Sequence, residues 1–131
     1  MNERALRRCP FCERSASDVV VQNEAAMAFP DGFPLSDGHT LVVPRRHVAS
    51  VFDLTPGELA SLWQLVAEVR ARLSRELQPE GFTIGINDGR AAGQTVEHGH
   101  VHVIPRRAGD VPDPRGGVRW VIPGRAAYWT T

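Results

Sequence analysis

The stretch Glu97-His98-Gly99-His100-Val101-His102-Val103-Ile104-Pro105 holds three of the five histidines of the chain, at alternate positions. Alternate residues of a β-strand lie on one face, about 7 Å apart, so a strand over residues 95–104 would align the three imidazoles. Val101 and Val103 would then face a hydrophobic core. Imidazole can attack an electrophile, bind a metal or transfer a proton near neutral pH, so this strand is predicted to carry the chemistry.

Three interpretations of this row of histidines are open from the residues alone. The middle imidazole can act as a nucleophile on phosphorus, with its neighbours donating hydrogen bonds to phosphate oxygens. All three can instead bind one zinc ion, because alternate strand positions can present several ligands to one metal. A solvated histidine-rich strand is the least favoured interpretation.

Composition and charge exclude several classes of function. The 131 residues suit a single domain, 1–131, with an N-terminal arm over 1–18 and a C-terminal tail over 108–131. Fifteen basic and fifteen acidic residues balance, so neither nucleic acid nor a membrane is an expected partner. Lysine is absent, which excludes a Walker lysine and Schiff-base catalysis. No apolar run of membrane-spanning or secretory type occurs, so a cytoplasmic location is predicted.

The remaining patterns predict an antiparallel sheet with one long helix packed on it, an α+β domain. Thr55-Pro56-Gly57-Glu58 offers an N-cap, a proline at the first helical position and a capping-box glutamate. Apolar residues then recur at helical period until Pro79: Leu59, Leu62, Trp63, Val66, Val69, Leu73 and Leu77. Short β-like runs are predicted at 19–22, 25–29, 39–43, 82–87, 95–104 and 118–122.

Residues 93–107, Gly-Gln-Thr-Val-Glu-His-Gly-His-Val-His-Val-Ile-Pro-Arg-Arg, resemble the signature of the histidine-triad (HIT) superfamily. The resemblance extends to residues 29–31, Phe-Pro-Asp, and to residues 38–47, Gly-His-Thr-Leu-Val-Val-Pro-Arg-Arg-His. It is closest to the dinucleoside polyphosphate hydrolase branch, although Asn87 stands where fragile-histidine-triad members carry glutamine. The resemblance implies an antiparallel sheet of about five strands with one long helix, joined across a homodimer.

The resemblance also implies a role for each matching residue. His100 corresponds to the nucleophile, His102 to the histidine that contacts the phosphate, and His98 to the histidine that supports the site or binds metal. Asn87, Gln94 and Thr95 would contact the phosphates, with Gly93 allowing close backbone approach, and Asp31 would bind the ribose. Phe29 and Leu41 lie where the base pocket forms, and His39 matches a nucleotide-binding position close to the active site.

The implied activity is attack on the α-phosphate of a nucleotide, through a nucleotidyl-histidine intermediate that releases a nucleoside monophosphate. A dinucleoside polyphosphate hydrolase is the first expectation. Adenosine phosphoramidate hydrolysis and transfer to phosphate or another acceptor are alternatives within the family. A non-catalytic, zinc-stabilised nucleotide-binding module that regulates a partner is an alternative of another class.

Cys9-Pro10-Phe11-Cys12 has three interpretations. A thioredoxin-like redox motif requires a preceding strand and a βαβ pattern, which the sequence does not offer. Two reduced, unpaired thiols are the second interpretation. The third is half of a zinc site, which needs two more ligands. The resemblance implies that these ligands are His47 and His98, and that Cys9 and Cys12 complete a structural Zn²⁺ site.

The C-terminal tail contains Trp120 and Trp129 within a distinctive sequence, Asp-Pro-Arg-Gly-Gly-Val-Arg-Trp-Val-Ile-Pro over residues 113–123. A tryptophan there can stack on a base or pack against the sheet, and packing is favoured.

Overall fold

The computed structural model describes residues 9–129 and, over that range, forms one antiparallel sheet of five strands. The strands are β1 (Val21–Gln22), β2 (Ala26–Pro30), β3 (Thr40–Pro44), β4 (Gly81–Gly85) and β5 (Val101–Arg106). Their spatial order is β1-β2-β3-β5-β4, so β5 inserts between two strands that precede it in the chain. The predicted α+β class is confirmed. Residues 1–8 of the predicted arm and 130–131 of the tail lie outside the described range.

The long helix α1 spans Pro56–Leu77 and begins as predicted. The Thr55 hydroxyl accepts a hydrogen bond from the Glu58 amide at 3.2 Å, and a Glu58 carboxylate oxygen accepts one from the Thr55 amide at 3.0 Å. This reciprocal pair satisfies two backbone donors that a helix start leaves free. The helix ends at Leu77 and is capped by Gln78, whose φ of 49° is left-handed, just before Pro79.

One face of α1 packs on the sheet and forms the main core. The buried helix residues are Leu62, Leu65, Val66, Val69 and Leu73, and they meet Ala26, Ala28, Val42, Val101 and Val103 of the sheet. The predicted stripe was wrong at Trp63, which remains 40% exposed, whereas Leu65 is fully buried. The buried stripe thus follows residues 62, 65, 66, 69 and 73, and Trp63 lies beside it.

The opposite sheet face, called here the outer face, carries His102, Ile104 and Arg106 of β5, because strand residues alternate between faces. The N-terminal arm covers the β2–β3 half of this face, where Cys9 and Phe11 form a second buried cluster with strand residues. The C-terminal tail lies over the β4–β5 half. The N-terminal arm and the C-terminal tail therefore lie on either side of His102.

The predicted histidine strand over 95–104 was wrong at its start, because β5 begins at Val101. His98 and His100 precede the strand and do not share a strand face with His102. The amide of Gly99 donates to the Val48 carbonyl at 2.8 Å, which draws this segment away from the β3 ladder. A Cβ at residue 99 would lie 2.7 Å from the Val51 nitrogen, so only glycine fits this approach.

The predicted strand over 118–122 was also wrong. A 3₁₀ helix spans Gly117–Val121, and a short helix, α2, spans Pro123–Ala126. Local hydrogen bonds stabilise the 3₁₀ helix. The Arg119 amide donates to the Gly116 carbonyl at 2.8 Å, and the Ile122 amide donates to the Arg119 carbonyl at 3.2 Å. Trp120 is 43% exposed instead of being packed under the sheet, and Trp129 lies against Gly116 within the tail.

Among the described residues, no helix combines the length and apolar character that crossing a bilayer requires. Strand β4 forms an edge of the sheet and pairs with β5 alone. The homodimer and the cytoplasmic location stay predictions.

Candidate functional site

The three histidines of the motif occupy three different surroundings. His98 is fully buried beneath the N-terminal arm, and His100 is 7% exposed. His102 lies on the outer face of β5, between Leu41 of β3 and Gly85 of β4 in the sheet register. The His100 and His102 ring centroids are 5.1 Å apart, so these two imidazoles adjoin.

The protonation of His100 is fixed by a backbone carbonyl. Its Nδ1 lies 2.8 Å from the carbonyl oxygen of His98, which can only accept a hydrogen bond. Nδ1 therefore carries the proton, and the lone pair is on Nε2. The Phe11 ring meets His100 edge-on, with centroids 5.0 Å apart at 80°, and restrains its orientation. An oriented imidazole whose Nε2 lone pair is directed away from the backbone carbonyl is suited to nucleophilic attack.

His102 belongs to a second group, called here the acid cluster, formed by Asp31, His39 and His102. The Leu35 amide donates to His39 Nδ1 at 3.0 Å, which leaves the proton of a neutral His39 ring on Nε2. That Nε2 lies 2.9 Å from His102 Nδ1 and 3.4 Å from an Asp31 carboxylate oxygen. His39 thus donates to His102 Nδ1, and the proton of His102 is placed on its own Nε2.

Burial keeps the imidazoles of the acid cluster neutral. It lowers the pKa of His102 to about 4, and the neighbouring His100 and His39 rings add to the effect while Asp31 opposes it. Burial also lowers the pKa of His39, again against the attraction of Asp31. Both rings therefore offer N–H donors near pH 7 without carrying charge.

A cavity of about 480 Å³ opens in front of His100 and His102, and it is called here the nucleotide cavity after the residues predicted to bind a nucleotide. Eight of the residues predicted for the site line it: Asp31, His39, Leu41, Asn87, Gly93, Thr95, His100 and His102. Gly93 has a φ of 94°, a left-handed conformation that favours glycine and turns the loop toward the cavity. The sequence thus indicates most of this cavity.

Two predicted nucleotide-binding residues do not line it. Phe29 is fully buried beneath the Arg14 guanidinium, whose carbon is 4.2 Å from the ring centroid. The Gln94 amide donates to the carbonyls of Ala49 at 2.7 Å and Val96 at 2.9 Å, while its oxygen accepts from the Gly89 amide. The Gln94 side chain is therefore committed to holding the loop.

Phe11 and Arg14 were not predicted for the site, yet both line the nucleotide cavity. Phe11 packs between the Phe29, His98 and His100 rings. The sequence signal that could have identified Phe11 is its position between Cys9 and Cys12, two candidate metal ligands. Nothing in the local sequence distinguished Arg14, which donates to the Pro30 carbonyl at 2.7 Å from a position 16 residues away.

Cys9, Cys12, His47 and His98 form a third group, called here the thiol cluster. Their ligand atoms all lie within 4.8 Å of one another. His98 Nδ1 is 3.5 Å from the Cys9 sulfur and 3.6 Å from the Cys12 sulfur, and His47 Nδ1 is 3.0 Å from the Cys12 sulfur. The structure thus brings together all four predicted metal ligands.

The donor set of this cluster fits a zinc ion. His98 Nε2 donates to the Pro44 carbonyl at 2.8 Å, so its Nδ1 lone pair faces the two sulfurs. Burial lowers the pKa of His98 to about 4, which keeps that lone pair available. Burial and the adjacent Cys9 raise the pKa of Cys12 to about 12, and a bound zinc ion would stabilise the Cys12 thiolate against that effect.

Comparison with known proteins identifies the family. The HIT domain model matches residues 13–109. The chain belongs to the HIT family. An uncharacterised 16.1 kDa HIT-like protein of Mycoplasma pneumoniae is 39% identical over 106 residues, which are 78% of this chain and 74% of that protein. The bis(5'-nucleosyl)-tetraphosphatase (asymmetrical) of Schizosaccharomyces pombe is 42% identical over 94 residues, or 72% of this chain, but the match spans only 52% of that protein.

A solved structure has the same fold. The zinc-bound histidine-triad family protein of Mycobacterium smegmatis superposes with a TM-score of 0.68 at 36% identity, over 82% of this chain and 86% of that one. The predicted family and its open five-stranded sheet are therefore confirmed. HIT proteins include nucleotide hydrolases and transferases, and residues 110–129 of this chain lie beyond the family match.

Proposed function

We propose that this protein is a nucleotide hydrolase in which His100 attacks the α-phosphate of a dinucleoside polyphosphate. The observation that carries the proposal is the pair of opposite tautomers at the nucleotide cavity. His100 holds its proton on Nδ1 and has a free Nε2, whereas the adjoining His102 has its proton on Nε2. A nucleophile beside a neutral hydrogen-bond donor is an arrangement that suits nucleotidyl transfer through a covalent intermediate.

The first chemical step joins Nε2 of His100 to phosphorus. The bond between phosphorus and the leaving phosphate oxygen breaks, and the leaving group departs as a nucleoside polyphosphate. The positive charge that develops on the His100 ring is stabilised by its Nδ1–H, which donates to the His98 carbonyl. His102, Asn87 and Thr95 line the cavity and would donate to the phosphate oxygens.

Water completes the reaction in the second step. It attacks phosphorus and loses a proton to solvent, the P–N bond breaks with its electron pair returning to Nε2, and the nucleoside monophosphate and the free His100 imidazole are released. Asp31, whose side chain is 15% exposed, would accept the ribose hydroxyls. Leu41 and Phe11 would contact the base as apolar walls. The match to the fission yeast tetraphosphatase supports a dinucleoside polyphosphate as the substrate.

The thiol cluster would hold a structural zinc ion with four protein ligands. The ion would join the N-terminal arm, through Cys9 and Cys12, to His47 after β3 and His98 before β5. Phe11 lies between the two cysteines and contacts His100, so fixing the arm also fixes one wall of the nucleotide cavity. The zinc-bound mycobacterial relative supports this assignment.

The decisive experiment compares wild-type protein with His100→Ala. Each is incubated with diadenosine tetraphosphate and with adenosine 5'-phosphoramidate, and the nucleotides are resolved by chromatography. We expect the wild type to release AMP and the variant to lose activity by on the order of 10³-fold or more, since the nucleophile is removed. Unchanged circular dichroism would show that the fold survives.

The result that contradicts the proposal is near wild-type turnover by His100→Ala. Nucleotide binding without turnover by either protein would favour a regulatory nucleotide-binding module. Acceleration of wild-type turnover by added phosphate, with phosphate incorporated into the product, would favour a phosphorylase.

A further inference from the structure

A second cavity, of about 710 Å³, adjoins the nucleotide cavity on the outer face of the sheet. It is called here the tail cavity. The two cavities share three lining residues, Leu35, Asn87 and His102. A ligand that fills one and extends past His102 therefore enters the other without leaving the protein surface. Both volumes lie in the range of roughly 300–1,000 Å³ that is typical of small-molecule sites.

The tail cavity is built from two parts of the chain. Its floor is the β4–β5 half of the outer face, with Thr83, Gly85 and Ile104. Its other wall is the C-terminal tail, through Val111, Pro114, Gly117, Val118, Trp120 and Val121. That tail lies beyond the family match, which ends at residue 109. The ligand preference of the tail cavity therefore depends on residues of this chain's own tail.

The charges at the tail cavity are already paired. Within residues 9–129, Arg106 is the one arginine that lines it. Arg106 makes a two-atom contact with Asp110, at 2.6 and 2.9 Å, and donates to Thr83 at 3.0 Å. Asp113 is held by Arg115 at 2.9 Å. With both charges satisfied, the cavity favours an apolar, planar group over a free phosphate.

The indole ring of Trp120 offers a flat surface on which a planar group of a ligand can stack. Its indole Nε1 donates to the Arg115 carbonyl at 2.8 Å, which anchors the ring, while 43% of the residue stays exposed. The Arg119 guanidinium donates to the carbonyls of Ala126 at 2.9 Å and Arg125 at 2.7 Å, so the tail is folded upon itself. A restrained, exposed indole in an apolar cavity is suited to stacking on a nucleobase.

We propose that the tail cavity binds the departing nucleoside of a dinucleoside polyphosphate, with Trp120 stacked on its base. The retained nucleoside occupies the nucleotide cavity, and the phosphate chain crosses Asn87 and His102 between them. This assignment rests on the proposed function. It makes Trp120 a specificity-determining residue that favours leaving groups carrying a base.

The test compares two substrates that share the AMP half. Diadenosine tetraphosphate would fill both cavities, whereas adenosine 5'-phosphoramidate releases ammonia and leaves the tail cavity empty. We expect Trp120→Ala to lower the ratio of kcat/KM for the first substrate to that for the second by on the order of tenfold, through the loss of one stacked base. Trp120→Phe should restore most of the ratio.

Trp63→Ala is the matched control, because Trp63 is 40% exposed on α1 and lines neither cavity. It should leave the ratio unchanged. An unchanged ratio in Trp120→Ala, or an equal loss with both substrates, would overturn the proposal. A shift of the sedimentation coefficient in Trp120→Ala would also overturn it, since the tail would then belong to an interface between copies.

A binding experiment separates this proposal from the catalytic one. In His100→Ala protein, calorimetry should show tighter binding of diadenosine tetraphosphate than of AMP, and Trp120→Ala in that background should remove the excess. If the wild type shows no turnover but the tighter binding of diadenosine tetraphosphate is present, the proposed hydrolase activity is refuted and the assignment of the tail cavity stands. Equal affinities in the presence of Trp120 would remove the cavity assignment alone.

Discussion

The thiol cluster and the acid cluster flank His100, and both bring side chains of metal-binding type within 4.8 Å of one another. They differ in the backbone group that binds one ring nitrogen of a histidine in each cluster. The Nε2–H of His98 donates a hydrogen bond to the Pro44 carbonyl, so the Nδ1 lone pair faces the sulfurs. His39 receives the Leu35 amide on Nδ1, so an N–H faces His102 and Asp31. The backbone partner of the far nitrogen thus gives the thiol cluster the donor set of a metal site and gives the acid cluster a chain of hydrogen bonds, called here the relay.

The largest expected effect is at the thiol cluster. Cys12→Ser removes one of the four proposed zinc ligands with little change of volume, so zinc measured by mass spectrometry should fall from about one ion per chain to near none. Loss of the ion should cost about 3 kcal/mol or more and lower Tm by roughly 10 °C. His39→Gln, which alters the acid cluster, is the control and should retain zinc. An equal Tm for Cys12→Ser and the zinc-loaded wild type would refute the metal assignment.

The next effect is on catalysis and tests the relay. His39→Leu removes the donor to His102 Nδ1, so His102 is no longer fixed with its proton on Nε2. We expect kcat to fall on the order of 10²-fold, as for other misplaced catalytic groups. Nitrogen-15 NMR of the His102 ring should show the Nδ1-protonated tautomer appearing.

His39→Gln should restore much of the activity, because its amide N–H can replace the imidazole donor. Zinc content should not change in either variant. If His39→Leu kept the His102 tautomer and lost activity through unfolding alone, the relay interpretation would be wrong.

The smallest expected effect is on stability as the pH falls. The pKa of His102 is about 4 in the folded chain and about 6.5 when unfolded, so the unfolded state binds more protons between these values. The contribution of His102 to stability is therefore complete above pH 6.5 and is lost as pH falls toward 4. This amounts to about 2 kcal/mol between pH 7 and 5. Urea unfolding should show a shallower pH dependence for His102→Gln, and equal slopes would contradict the assigned shift.

The sequence anticipated the elements that depend on local chemistry. The capping box at Thr55 and Glu58 and the apolar period after it fixed the position of α1 closely, because both features act within a few residues. The strand start was missed, since Val101 begins β5 only because Gly99 packs on Val51 from a distant loop. The helical tail was missed because its apolar run over 118–122 is compatible with either structure.

Within the candidate site, the sequence alone determined the residue types, the spacing of the histidines and the set of four thiol-cluster ligands implied by family resemblance. Tertiary structure decided which nitrogen of each ring carries the proton, because the deciding partners are the backbone groups of Leu35, Pro44 and His98. It also decided that the tail borders His102. The His98 bond to Pro44 joins residues 54 positions apart, which meet only when the sheet closes. The partners of His39 and His100 are four and two residues away, and they reach hydrogen-bond distance only in the folded conformation of their loops.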